Sequence, residues 1–369
     1  MTLDQPLRAM RVGARLDNLR ASLDNAGCDG ALITSLTNIR YLTGFTGSAG
    51  MLFVSAERTL LTTDGRYKFQ SAEQLGACGV TADIEIGSPI VQQDALKAAS
   101  STTTRLGLEA GHVTWAQQRS MASDWLSVNE LVATSNLVEN LRITKDEGEL
   151  DRMRRAAGIA DEALARTRTL LSSGISEKEF AVALDFEIRR LGAEGNSFES
   201  IVASGPNGAK PHARPSDRQV RPGELIVLDF GALVEGYCSD MTRTLAVGEL
   251  SDTAQRMFDV VIASQQAGVD VLRPGVAAGD VHQVCLDVIA QAGWADAFLH
   301  STGHGVGLDI HERPWVAPKQ SAELAVGNVV TVEPGVYLPD HGGVRIEDTL
   351  VVTNSGYERL TCAPKTIAA

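Results

Sequence analysis

The segment LDFGALVEGYCSDMTRTLAV, residues 228–247, places two aspartates in stretches that otherwise have the composition of buried strands. Asp229 lies within an apolar run, and Asp240 follows eleven positions later, just before a second such run. An ionised carboxylate is costly to bury unless its charge is paired or bound to a metal. The segment therefore predicts two strands whose acidic side chains need a common partner.

The first of these strands recurs later in the chain. GELIVLDFG (223–231) aligns with GNVVTVEPG (327–335) at a constant offset of 104 residues. This alignment sets Asp229 over Glu333, so that an acid occupies the same position of both apolar runs. The pattern indicates an internal repeat.

The repeat extends to the segments around these strands. LSSGISEKEFAVALDFEIRRLG (171–192) aligns with LRPGVAAGDVHQVCLDVIAQAG (272–293) at an offset of 101 residues, and both have the periodicity of an amphipathic helix that ends at glycine. Each half then returns with a second acid, Asp240 in the first and Glu347 in the second. If the halves pack with two-fold-like symmetry, all four carboxylates meet.

Four converging carboxylates repel one another and need either protons or cations, and divalent cations are the simplest solution. The segment HSTGHGVGLDIHERP (300–314) supplies imidazoles: His304 among glycines, and His311 seven residues later. One imidazole with four carboxylates favours manganese, iron, cobalt or zinc over magnesium. Two such ions are suited to hydrolysing an acyl or phosphoryl bond.

Composition excludes several other classes of protein. The chain has 369 residues, 44% of them hydrophobic, and a formal net charge of −13, which argues against a nucleic-acid partner. No apolar run approaches the roughly 18–20 residues that span a bilayer, so no membrane partner is expected. Five scattered cysteines without a C-x-x-C pair favour a reducing, cytoplasmic location.

Patterning divides the chain into two parts. Residues 1–140 alternate helical patterns with short apolar runs, as expected of a small α/β domain. Residues 141–369 form the second predicted domain. Thr144 precedes Glu147 by three positions, a capping-box spacing, and predicts the start of the helix that enters it.

The second domain resembles a known family. Residues 201–361 look like the prolidase and aminopeptidase P (Xaa-Pro peptidase) branch of the pita-bread metallopeptidases. The segments that carry the resemblance occur in the family's order and spacing, and they are HARPSDRQVRPGELIVLDFG (212–231), GYCSDMTRTLAVG (236–248), HGVGLDIHERP (304–314), VVTVEPGVYLP (329–339) and GGVRIEDT (342–349). In the first domain, TNIRYLTGFTGSAG (37–50) and TDGRY (63–67) resemble the creatinase-like N-terminal domain.

The resemblance implies the fold and the site. The fold class would be mixed α/β (α+β), with a creatinase-like domain over 1–140 and a pita-bread catalytic domain with a pseudo-two-fold repeat over 141–369. Two divalent metal ions are implied, manganese first, with cobalt, zinc or iron as alternatives. The resemblance implies that one metal binds Asp229 and Asp240, that the second binds His304, Glu333 and Asp240, and that Glu347 bridges both. It also implies proton transfer by Glu333 and contacts of His212 and His311 with the substrate carbonyl. For Arg345 it implies that the side chain orients a substrate carboxylate or belongs to the outer shell of the metal site.

The implied reaction is hydrolysis of the bond before proline, in Xaa-Pro dipeptides (prolidase) or at the N-terminus of longer peptides (aminopeptidase P). A metal-free creatinase-like hydrolase and a non-catalytic peptide-binding module are the alternatives, and the presence of all five ligand residues argues against both. A homodimer is also expected, with the N-terminal domain helping to cover a partner's site. Sequence leaves open the native metal and the choice between dipeptides and longer peptides.

Simpler interpretations exist for several of these residues. His212, between two prolines, has the setting of a solvated loop histidine, and His311 has that of a capping residue beside Glu312. For Arg345 the simpler interpretation is a salt bridge to a neighbouring acid. The remaining histidines are interpreted as structural or surface residues: His112, His282, His300 and His341.

Overall fold

The computed structural model describes residues 5–126, 128 and 130–369. These residues divide into two compact units, one over 9–142 and the other over 143–369, to which the described residues 5–8 also belong. The N-terminal segment, assigned from sequence to the first domain, is thus grouped with the second. This segment contacts the second unit through an ion pair between the Arg8 guanidinium and the Asp151 carboxylate and through the packing of Leu7 against its core.

The first unit is built around a mixed sheet. The strands are β1 (Gly30–Ile33), β2 (Met51–Ser55), β3 (Thr59–Thr63), β4 (Asp83–Ile86), β5 (Arg105–Glu109) and β6 (Glu130–Thr134). Within the described residues of this unit, the sheet has the strand order β4-β3-β2-β1-β5-β6, in which β1 pairs antiparallel with β2 and parallel with β5. The helices are α1 (Arg15–Leu23), α2 (Leu36–Thr43), α3 (Lys68–Ala77), α4 (Pro89–Ala99), α5 (Trp115–Ser120) and α6 (Glu139–Arg142).

The second unit contains long helices and short antiparallel sheets. Its helices are α7 (Glu147–Thr167), α8 (Glu177–Arg190), α9 (Asp252–Asp270) and α10 (Ala278–Gln291). The strands of its first half are β7 (Gly195–Asn196), β8 (Ile201–Ser204), β9 (Leu225–Phe230), β10 (Ala232–Val234), β11 (Tyr237–Cys238) and β12 (Met241–Ala246). Those of its second half are β13 (Gly303–Gly305), β14 (Glu312–Val316), β15 (Val329–Val332), β16 (Gly335–Leu338), β17 (Gly342–Arg345), β18 (Asp348–Thr353) and β19 (Gly356–Arg359).

The predicted internal repeat is present in the second unit. Helices α7 and α8 precede a sheet of order β12-β9-β8, and helices α9 and α10 precede a sheet whose central strands run β13-β15-β18. In both halves the neighbouring strands are antiparallel. Each half therefore contains a helix pair and, after it, a sheet with three neighbouring antiparallel strands in common.

Strand alternation explains why the acids point away from the helices. Leu228 and Phe230 of β9 belong to the core packed with α7 and α8, so Asp229 between them faces the opposite side of the sheet. In the second half, Val330 and Val332 of β15 belong to the core packed with α10. Each helix pair thus covers one face of its sheet and leaves the acids on the other.

The start of α7 differs from the prediction. Its N-cap is Asp146, whose side chain accepts a hydrogen bond from the backbone N–H of Glu149, while the Glu149 carboxylate accepts one from the backbone N–H of Asp146. Thr144, predicted to be the cap, instead forms a β-bridge with Asn328. Two overlapping capping-box patterns occur in this stretch, and tertiary pairing of Thr144 selects the later one.

The pairing of Arg8 with α7 gives a pH-dependent prediction. Hydrogen bonds from Arg8 lower the pKa of Asp151 from 3.8 to about 2, so the ionised carboxylate stabilises the folded chain above that range. We expect Asp151→Asn to lower the melting temperature by a few degrees at neutral pH, and by progressively less as the pH falls from 3.8 to about 2. Thermal unfolding followed by circular dichroism measures the effect.

A matched control exists on the same helix. Glu147 also contacts Arg8, at 2.9 Å, but its side chain is 60% exposed. Exposed ion pairs contribute little, so Glu147→Gln should leave the melting temperature nearly unchanged. Equal melting temperatures for the wild type and Asp151→Asn at neutral pH would contradict the prediction.

Among the described residues, no helix combines the length and apolar character needed to cross a membrane.

Candidate metal centre

The repeat brings four acids to the ends of two strand pairs. In the first half, Asp229 lies near the end of β9 and Asp240 directly precedes β12, which pairs with β9. In the second half, Glu333 directly follows β15 and Glu347 directly precedes β18, which pairs with β15. In an antiparallel pair the end of one strand lies beside the start of the other, so the two acids of each half lie at the same end of their strand pair.

Hydrogen bonds connect the two halves behind these acids. The Glu347 backbone N–H donates to the carbonyl of Thr242, at 3.0 Å, and the Thr242 hydroxyl donates to the Glu347 carboxylate, at 2.8 Å. The Thr349 hydroxyl donates to the Asp240 carbonyl, at 2.7 Å. These bonds fix the acids of one half against those of the other.

His304 joins the cluster from β13. Its Nε2 lies 3.3 Å from a carboxylate oxygen of Glu333 and 3.6 Å from one of Asp240. The possible ligand atoms of Asp240, His304 and Glu347 all lie within 4.8 Å of one another. The Nδ1 of His304 lies 3.0 Å from the carbonyl oxygen of Gly305, and this contact directs the Nε2 of the same ring toward the acids.

The residues fit a cation because two of their carboxylate oxygens have no hydrogen-bond donor within the described part of the chain. Among the described residues, Asp229 Oδ1 and Glu347 Oε1 are buried and accept no hydrogen bond. Buried polar atoms are almost always satisfied, and an exception points to a missing partner such as an ion. The donor set of four carboxylates and one imidazole is typical of a transition-metal site.

Burial makes the charged forms of these acids costly. Burial and the neighbouring Asp229 raise the pKa of Asp240 well above its usual range, and burial and Asp240 do the same for Glu347. Burial also raises the pKa of Asp229, although Arg345 opposes it. A divalent cation would reverse these shifts, because it stabilises the ionised carboxylates.

His304 and Glu333 shift each other's pKa in the direction that favours the charged forms, opposite to the effect of burial. Burial opposes the charged form of both, but the bond between them outweighs it. The pKa of His304 rises to about 9 and that of Glu333 falls to about 2. At neutral pH and without metal, these shifts favour an imidazolium at His304 beside an ionised Glu333.

Arg345 contacts the acid cluster directly. Its guanidinium donates to the Asp229 carboxylate at 2.6 Å, to the Tyr337 hydroxyl at 2.8 Å and to the Thr242 hydroxyl at 3.0 Å. It also donates to the carbonyl of Pro211, at 3.2 Å. Four of the five N–H donors of the Arg345 guanidinium are used in these contacts within the protein, one of them a salt bridge to Asp229.

A cavity of about 790 Å³ opens onto the cluster. All eight residues singled out from the sequence line it: Asp229, Asp240, His304, Glu333, Glu347, His212, His311 and Arg345. The His311 ring lies 4.4 Å from that of His304, centroid to centroid. His212 lies on the loop after β8, beside Pro211 and Ala213, which also line the cavity.

Sequence reasoning missed several residues that support the site. Thr242 lies two positions after Asp240 and Thr331 two positions before Glu333, where its hydroxyl donates to the Glu333 carboxylate at 3.2 Å. Residues two apart on a strand share a face, so alternation could have indicated both. His300, interpreted as structural or surface, lines the cavity and lies 2.7 Å from the Tyr337 hydroxyl. No sequence pattern distinguishes it from the other histidines.

Comparison with known proteins identifies the class. Residues 151–354 match the model of metallopeptidase family M24, and residues 15–144 match the creatinase/prolidase N-terminal domain. An uncharacterized peptidase of Bacillus subtilis (strain 168), YqhT, is 42% identical over 351 residues, which cover 95% of this chain and 98% of that protein. The chain therefore belongs to metallopeptidase family M24.

Two solved structures show how far the similarity extends. The Xaa-Pro dipeptidase from Bacillus anthracis has a TM-score of 0.93 and 37% identity, over 97% of this chain and 99% of that one. The X-Pro aminopeptidase from Thermotoga maritima MSB8 has a TM-score of 0.84 and 33% identity, over 94% and 99%. The predicted fold class, a creatinase-like domain with a pita-bread domain, is confirmed.

Proposed function

We propose that this protein is a metal-dependent peptidase that hydrolyses the bond before proline. The observation that carries the proposal is the cluster of four carboxylates and His304, in which two buried carboxylate oxygens accept no hydrogen bond from the part of the chain that the structure describes. Solved relatives described as an Xaa-Pro dipeptidase and an X-Pro aminopeptidase support the choice of substrate. The family itself establishes only a peptidase.

The ligands would divide between two ions. We assign Asp229 and Asp240 to one metal, His304 and Glu333 with Asp240 to the other, and Glu347 to both. The two unpartnered oxygens, Asp229 Oδ1 and Glu347 Oε1, are free to bind them. Bound there, two divalent cations would supply Lewis acidity and a water of lowered pKa.

The side chains around the cluster then perform the remaining steps. Glu333 takes the proton that the attacking water loses and delivers it to the nitrogen of the leaving proline. His212 and His311 donate hydrogen bonds to the substrate carbonyl oxygen as negative charge develops on it. Arg345 orients Asp229 through its 2.6 Å bond and opposes the effect of burial on the pKa of that carboxyl.

The chemistry of proline explains why a dedicated peptidase is needed. Proline has no backbone N–H, and its ring restricts the residue that precedes it. A peptidase that aligns its substrate through that N–H therefore binds an Xaa-Pro bond poorly. A site that acts on the carbonyl through cations and imidazoles does not depend on the missing donor.

Hydrolysis of a peptide panel tests the proposal. Metal-stripped protein is assayed with Gly-Pro, Gly-Pro-containing tripeptides and Gly-Ala, before and after addition of manganese, cobalt, zinc or iron. We expect cleavage only after metal is added and only before proline. Cleavage of the dipeptide alone assigns a prolidase, and cleavage of the tripeptides assigns an aminopeptidase P.

The same panel decides between the proposal and its alternatives. Cleavage by the stripped protein would favour a metal-free creatinase-like hydrolase, and absence of cleavage with every metal would favour a peptide-binding module. Equal cleavage of Gly-Ala and Gly-Pro would contradict the proline preference. Manganese as the native metal, a homodimer and a cytoplasmic location are further proposals that rest on the family resemblance and, for location, on the scattered cysteines.

A further inference from the structure

Glu177 is a buried acid outside the metal cluster whose carboxylate is fully occupied by one loop. It is the first residue of α8, and its residue surface is 0% exposed. One carboxylate oxygen accepts hydrogen bonds from the backbone N–H and hydroxyl of Ser204, at 2.7 and 2.8 Å. The other accepts from the backbone N–H and hydroxyl of Ser216, at 3.0 and 2.6 Å.

These bonds close the segment 204–216 (here the His212 loop) at both of its ends. The Asn207 side-chain amide adds contacts to both Glu177 oxygens, at 3.2 and 3.1 Å. One carboxylate therefore holds the beginning, the interior and the end of the same loop. Its position at the N-terminus of α8 further stabilises the negative charge.

The His212 loop forms one wall of the cavity. Five consecutive residues of the loop line it: Pro211, His212, Ala213, Arg214 and Pro215. The carbonyl of Pro211 accepts a hydrogen bond from Arg345, whose guanidinium also binds Asp229. A displacement of the loop would therefore move His212 and remove one partner of Arg345.

We propose that Glu177 is a positioning residue that places His212 against the substrate carbonyl by closing the His212 loop at both ends. This inference rests on the proposed function, in which His212 stabilises the charge that develops on that carbonyl. Glu177 contacts neither the acids of the cluster nor the cavity. Its effect on catalysis therefore has to pass through the loop.

Kinetics of Glu177→Gln test the proposal in the metal-loaded protein with Gly-Pro as the substrate. The amide group of glutamine places a donor against donors of Ser204, Asn207 or Ser216, so the loop loses part of its attachment. We expect kcat to fall by about 10- to 100-fold, since a misplacement of about 1 Å has effects of this size. We expect KM to change less and the metal content to stay equal to that of the wild type.

A double-mutant cycle separates positioning from a general structural role. If Glu177 acts through His212, adding Glu177→Gln to His212→Ala should cause less than a further twofold loss. Losses that multiply in the double variant would overturn the proposal. The matched control is Glu179→Gln, on the same turn of α8, where the side chain bonds to Ser176 and not to the loop. We expect it to retain kcat within twofold.

Hydrogen exchange provides a readout that does not depend on activity. We expect the amides of residues 204–216 to exchange faster in Glu177→Gln, while those of α9 remain protected. If Glu177→Gln fails to fold, Ser216→Ala, which removes one hydroxyl donor, should show the same pattern more weakly. Unchanged exchange in both variants overturns the loop attachment. If the wild-type protein does not hydrolyse Xaa-Pro substrates, the proposed function is rejected, whatever the exchange experiment shows for the loop.

Discussion

Asp240→Asn is expected to remove the bound metal and to lower kcat/KM for Xaa-Pro hydrolysis by about 10³-fold or more. Asp240, like Glu347, is assigned to both metals, and its carboxylate lies 3.6 Å from the His304 imidazole. A metal contributes several kcal/mol of transition-state stabilisation, and each 1.36 kcal/mol corresponds to about a factor of ten in rate. Metal content by mass spectrometry and kcat/KM with Gly-Pro measure the two effects.

The substitution is nearly isosteric, so its effect separates ligation from packing. Asparagine keeps the size of the side chain but loses the charge that binds a cation. The control is Asp259→Asn on α9, where the carboxylate accepts a hydrogen bond from the exposed Gln255. It should retain metal and full activity. An Asp240→Asn protein that is active without bound metal would contradict the proposed mechanism.

Arg345→Met is expected to lower the free energy of unfolding of the metal-stripped protein by about 3–5 kcal/mol, because it removes one partner of a buried ion pair. The Arg345 side chain is 3% exposed and that of Asp229 is 13% exposed, so water compensates little for the lost ion pair. The Tyr337 hydroxyl and the Pro211 carbonyl lose a donor as well. Urea unfolding followed by fluorescence measures the change.

Arg345 should also affect metal binding. Without the bond from Arg345, the Asp229 carboxylate is no longer held in the orientation in which it would bind metal. Substitution of residues that orient metal ligands typically weakens metal affinity by about 10- to 100-fold. Arg345→Lys retains the charge but not the planar fork, so an intermediate loss is expected. Arg190→Met serves as the control, because the Arg190 side chain, which pairs with Glu187, is 52% exposed, and it should change stability by less than about 0.5 kcal/mol. If Arg345→Met and Arg190→Met behaved alike, the assigned role of Arg345 would be wrong.

The sequence predicted those parts of the fold that correspond to a repeated pattern of residues. The alignment of Asp229 with Glu333 reflects two strands that occupy corresponding places in the two halves, and apolar neighbours on both sides of Asp229 reflect strand alternation. The cluster of acids followed from these patterns. Assigning them individual ligand roles required the resemblance, because periodicity does not state which oxygens meet.

Other features could not be read from local patterns. The α7 cap shifted from Thr144 to Asp146 because Thr144 pairs with Asn328, a contact between residues distant in sequence. The contact of His300 with Tyr337 and the attachment of the His212 loop to Glu177 likewise join separated segments. Such contacts depend on the packed fold and carry no signature in the neighbouring residues.

Anomalous X-ray diffraction at the manganese edge, from crystals of the manganese-loaded protein, tests the assignment of a two-metal site most directly. We predict two peaks in the cavity, one in contact with Asp229 and Asp240 and the other in contact with His304 and Glu333, both beside Glu347. Absence of any peak in this cavity, in crystals of protein that hydrolyses Gly-Pro with manganese, would contradict the assignment.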